Sequence, residues 1–72
     1  MVTIVMKSGK MFRDVKLSCC DERLTIVYAS RRDVTGNELF KMVDGKEVWS
    51  FEEWNEDEWR ICFNTSAVEV VK

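Results

Sequence analysis

Residues 2–29 read VTIVMK-SG-KMFRDVKLSCC-DER-LTIVYA, and the fold of the chain turns on how this stretch is paired. Val2, Ile4 and Met6 alternate with Thr3, Val5 and Lys7, the period of two that a pleated strand imposes. Ser8-Gly9 separates two β-prone runs, and a glycine there supplies the positive φ of a tight hairpin. A two-residue turn would set Lys7 opposite Lys10, Met6 opposite Met11, Val5 opposite Phe12, Ile4 opposite Arg13 and Thr3 opposite Asp14. In that register Arg13 interrupts an apolar row of Met11, Val15, Leu17 and Cys19. A bulge at Arg13-Asp14 would instead move Val15 and Leu17 onto the Phe12 face. The pattern leaves both registers open. Asp21-Glu22-Arg23 is a polar turn, and Leu24, Ile26 and Tyr28 alternate with Thr25 and Val27 in a third, β-branched strand. A three-stranded meander is the simplest pairing.

Outward from this stretch, Ser30 to Asn37 reads as a loop and Glu38 to Val43 as a returning strand. Asp44-Gly45 has the form of a hairpin turn, which would pair Val43 with Lys46 and Phe40 with Trp49. The next strand runs Lys46 to Phe51. Ser50-Phe51-Glu52-Glu53 matches a capping box and allows a short helical turn near residues 50–58. A continuing strand with a turn at Asn55-Glu56-Asp57 is the favoured alternative. Trp59, Ile61 and Phe63 alternate in another strand, and Val68 to Val71 closes the chain beside the first. The expectation is a single all-β domain over residues 1–72, a small antiparallel barrel or sandwich of five to seven short strands.

Two segments resemble the Sm-like family. Gly9-Lys10-Met11-Phe12-Arg13, followed by Asp21-Glu22-Arg23-Leu24-Thr25-Ile26-Val27, looks like its first motif. Ile61-Cys62-Phe63-Asn64 with Ala67-Val68-Glu69-Val70-Val71 stands where its second would be. The resemblance implies a strongly bent five-stranded barrel, assembly into rings and RNA binding. Asp14 and Val15 stand near the place of the motif's second glycine, and Thr25 at the place of its base-contacting asparagine. Phe63-Asn64 replaces its Arg-Gly. The size also resembles accessory proteins of phages and mobile elements, some of which inhibit a host protein through an acidic face.

The chain has 72 residues and no histidine, which removes the commonest general base and metal ligand. Lys7-Ser8 could form a Ser-Lys pair, but at a hairpin tip it reads as a solvated turn. The three cysteines include an adjacent pair, Cys19-Cys20, whose side chains point to opposite faces of a strand and cannot jointly grip one ion. They read as small buried hydrophobes. No enzyme activity, metal or other cofactor is expected. No apolar run reaches a membrane span, and no basic region followed by an apolar segment opens the chain, so a cytoplasmic protein is expected.

The net charge of −2 hides a segregation. Residues 1–43 hold eight Lys/Arg against five Asp/Glu, whereas residues 44–58 hold seven acidic side chains against Lys46 alone. Such asymmetry bears on partners rather than on fold. Glu52, Glu53, Asp57 and Glu58 with Trp54 could therefore dock a basic protein surface, or a second copy of the chain. That reading needs two of Trp49, Trp54 and Trp59 at the surface, whereas the area a short chain must bury favours all three in the core. The competing reading is nucleic-acid binding, to RNA or single-stranded DNA, through Lys7, Lys10, Arg13, Lys16, Arg31 and Arg32.

Overall fold

The computed structural model describes all of residues 1–72. The elements are β1 (Val2–Met6), β2 (Met11–Cys20), β3 (Leu24–Ser30), α1 (Gly36–Asp44), β4 (Val48–Glu53), β5 (Glu58–Asn64), a 3-10 turn (Thr65–Ala67) and β6 (Val68–Val71). They form one six-stranded antiparallel sheet in the order β4-β5-β3-β2-β1-β6, with a single short helix. The fold is small and all-β in its framework. β1, β2 and β3 make the expected meander, and β6 pairs with β1. β4 and β6 are the two outer edges.

The first hairpin turns on three residues, not two. Met6 N–H donates to the Lys10 carbonyl at 2.8 Å, Gly9 N–H donates to the Met6 carbonyl at 2.9 Å, and Gly9 has φ +97°. This is a three-residue loop ending in a left-handed glycine, one of the common hairpin connections. The longer loop displaces every pairing that a two-residue turn would give: Val5 stands opposite Met11 and Ile4 opposite Phe12. A second irregularity then follows. Asp14 takes φ +55°, and pairing resumes with Val2 opposite Val15. The bulged register is therefore the one adopted, with Phe12 and Val15 both buried. Asp is among the few side chains that tolerate this backbone region, so the bulge falls where the sequence permits it. Leu17 stands opposite the core residue Val27 but remains exposed.

Residues 36–44 correct the expected strand. Leu39 and Met42 are buried and Val43 half-buried, a helical spacing that lays one stripe of α1 on the sheet. Thr35 caps the helix, its hydroxyl accepting from Glu38 N–H at 3.2 Å. Asp44-Gly45 closes the helix instead of a hairpin. Lys46 N–H donates to the Val43 carbonyl at 3.0 Å and Glu47 N–H to the Met42 carbonyl at 2.8 Å, with Lys46 at φ +60°. These two bonds around a left-handed residue are the Schellman arrangement, which satisfies carbonyls the helix leaves free. Val43 and Lys46 are thus not a strand pair, and Phe40 meets Phe51, not Trp49, with ring centroids 5.0 Å apart.

Residues 48–53 continue as strand, so no helical turn forms at 50–58. The chain reverses at Asn55, whose side-chain oxygen accepts from the N–H groups of Asp57 and Glu58, both at 2.8 Å. β5 pairs with β3 along its whole length, from Leu24 opposite Asn64 to Ser30 opposite Glu58. The core fills the helix side of the sheet with Ile4, Met6, Phe12, Val15, Val27, Ala29, Ile61 and Phe63 under Val34, Leu39 and Met42. Trp59 ties loop to sheet. Its ring N–H donates to the Val34 carbonyl at 3.0 Å, and the Arg31 guanidinium lies 4.8 Å from its ring centroid.

Candidate interaction surface at the β4 edge

Strand β4 and its turn into β5 collect the acidic residues. Antiparallel pairing sets Glu52 beside Arg60 and Glu53 beside Trp59, so the two glutamates leave opposite faces of the strand. Each meets a cation. Glu52 Oε1 lies 3.6 Å from Arg60 Nη1, and Glu53 Oε1 lies 3.1 Å from Arg31 Nη2. Glu58 pairs with Lys16 at 3.5 Å and also accepts from the Asn55 side chain. All three pairs are at least partly open to solvent, so each contributes little to stability. Asp57 has no cationic partner; its backbone carbonyl accepts from Arg31 N–H at 2.9 Å.

The tryptophans divide. Trp59 is in the core, but Trp49 is 66 % exposed and Trp54 is 52 % exposed, which corrects the expectation that all three are buried. Trp54 leans on Tyr28, ring centroids 5.1 Å apart, on the sheet face away from the helix. Trp49 is the extra residue of a bulge, since Val48 faces Phe63 and Ser50 already faces Cys62. On the helix side, a groove of about 470 Å³ runs between α1 and β4. Phe40, Val43, Trp49 and Phe51 line it, Glu53 borders it on the same face, and Glu52 borders it from the other face of the strand. Phe40 is 63 % exposed although it belongs to a packed helix.

Phe40 and Phe51 are the residues that sequence reasoning missed at this surface, whereas Trp49 was one of the three tryptophans the docking reading considered. A signal for Phe40 was available. On a helix, Leu39, Met42 and Val43 form the buried stripe and Phe40 falls to its side.

The structure does not bring the six basic residues together on one surface. Lys16 and Arg31 are engaged with Glu58 and Glu53. Lys7 and Lys10 flank the first hairpin tip, where the Ser8 hydroxyl donates to Glu47 Oε2 at 2.7 Å. Lys10 and Arg13 line a second groove with Asp14, Asp33 and Glu38, and Arg32 is exposed in the loop before α1. Thr25 is fully buried, its hydroxyl 2.8 Å from that of Thr65, and presents nothing at the surface. The thiols separate as well. Cys62 is buried, but Cys19 and Cys20 are exposed, contrary to the expectation that all three are core hydrophobes. No helix is long and apolar enough to cross a membrane. Comparison with protein-family models, with curated proteins and with solved structures finds no match.

Proposed function

We propose that the chain is a non-enzymatic interaction module that docks a basic surface of another protein against β4, the 54–57 turn and the adjoining face of α1. The observation carrying this reading is the exposure of Phe40 and Trp49 around a groove bordered by Glu52 and Glu53. Large aromatic side chains left at the surface of a chain this short forgo burial worth roughly 1.5–3 kcal/mol each, a loss that a partner's surface recovers. The acidic groups supply orientation and rate of encounter more than affinity. Such a module would serve an accessory or inhibitor protein of the kind carried by phages.

Replacing Glu52, Glu53, Asp57 and Glu58 together by Lys tests the reading. A partner captured from cell extract by the parent chain should be lost, while circular dichroism stays unchanged. Equal capture by the folded variant sinks it.

Nucleic-acid binding is the alternative: Lys10 and Arg13 face a single groove and neither is in an ion pair, while Asp14, Asp33 and Glu38 in the same groove oppose a phosphate. A mobility shift with single-stranded RNA or DNA at low salt, lost in the Lys10→Glu, Arg13→Glu variant, would support it.

A further inference from the structure

The edge of β4 offers backbone as well as side chains. Trp54 N–H donates to the Glu58 carbonyl at 2.9 Å, Glu52 stands opposite Arg60 and Ser50 opposite Cys62. In an antiparallel ladder alternate residues turn their amide groups the same way, so 50, 52 and 54 address β5. Phe51 and Glu53 therefore direct N–H and C=O to the open side, where the sheet has no further strand. Proline and lysine, two residues that commonly guard such an edge, are absent from β4; its bulge at Trp49 and its glutamates guard it instead, against a second acidic strand rather than a basic one.

We propose that β4 takes up an extended segment of a partner protein as a seventh strand, and that this segment alternates bulky apolar with Lys or Arg side chains. The proposal rests on the docking reading above and specifies its chemistry. Side chains of an added strand point alternately to the two faces. Those on the helix side meet Phe40, Phe51 and Trp49, with Glu53 at the end of the row; those on the other side meet Glu52. Charge selects the basic residue. Residues 44–58 carry seven acids and one lysine; Glu52, Glu53 and Glu58 each meet one cation, and the excess of three negative charges that remains includes Glu56 and Asp57 in the turn where β4 ends. Pairing of β4 with β4 of a second copy would bring Glu52 and Glu53 of both chains together, and it would add Glu56 and Asp57 of both turns, like charges that oppose it.

The test uses a synthetic peptide of alternating Val and Lys with a central Phe in the Val series. It should bind the full chain in calorimetry and slow amide exchange of Phe51 and Glu53 by about tenfold or more. The same peptide N-methylated at every second amide, so that backbone pairing is blocked but side chains remain, should not bind. Nor should its Glu-for-Lys version. The Glu53→Pro variant removes one outward donor and should also lose binding; if it fails to fold, the methylated peptide still decides. Equal binding of the methylated peptide overturns strand addition while leaving the charge-reversal result, and with it the docking surface, intact. No binding of the parent peptide at millimolar concentration overturns it too. Protection of Phe51 and Glu53 by self-association alone assigns the edge to a second copy and likewise overturns it.

Discussion

Asp21 fixes the turn between β2 and β3 with one oxygen. Its Oδ1 accepts from the N–H groups of Arg23 and Leu24, both at 2.8 Å. The bond from Leu24, then that from Arg23, with the nearby Arg23 charge adding less, favours the ionised form and holds this carboxyl below the usual aspartate range. A pKa lowered in the folded state contributes stability that is complete above the unfolded value and is lost as pH falls through the folded one. A carbon-detected NMR titration should place the Asp21 midpoint below that of a free aspartate. Asp21→Ala should lower Tm at neutral pH and narrow the difference from the parent chain in acid. An ordinary midpoint would contradict the two short bonds. At this scale the sequence was readable: the polar run Asp21-Glu22-Arg23 marked a turn, and the structure adds that the aspartate bonds its own following backbone. The bulge was half readable. Arg13 signalled a break in the apolar row, but only packing of Phe12 with Phe63, centroids 5.1 Å apart, decides that the row is restored by Asp14.

Helix α1 shows how one local signal can conceal another. Asp44-Gly45 resembles a hairpin turn, and Glu38 to Val43 contains enough apolar residues to pass for a strand. Thr35-Gly36-Asn37-Glu38 has the spacing of a capping box, and Leu39, Met42 and Val43 recur at helical period. The similar Ser50-Phe51-Glu52-Glu53 caps nothing, because β5 offers that segment a full ladder of backbone partners. The helix also ends at a cost. Lys46 holds a left-handed conformation at φ +60° that glycine adopts freely. Lys46→Gly should therefore raise unfolding free energy by about 1 kcal/mol in urea titration. A loss of stability would mean that Lys46 makes a compensating contact.

Across the whole molecule, Trp59 joins three parts: the 31–35 loop through Val34, the sheet through β5, and α1 through Gly36, which lies against its ring. Trp59→Phe leaves the buried Val34 carbonyl without its donor and opens space beside Gly36. Chemical denaturation should show a loss of about 2–4 kcal/mol. A change below about 0.5 kcal/mol would mean that the loop is held by other contacts. The sheet, its terminal pairing and its acidic end were all legible from alternation and charge. The exposed aromatics were not, since hydrophobicity indicates what gains from burial without saying whether the same chain supplies the cover.

The pairing of β6 with β1 joins Ile4 to Val71, 67 residues further along the chain. During synthesis β1 must wait, one flank bare, until residues 68–71 have left the ribosome. Its final neighbour then arrives as a clasp only four residues long. Loop closure over so great a separation is entropically costly and comes late in folding. The newborn chain therefore passes through a stage in which β1, longer than its eventual cover, stands as a margin that the short β6 later replaces.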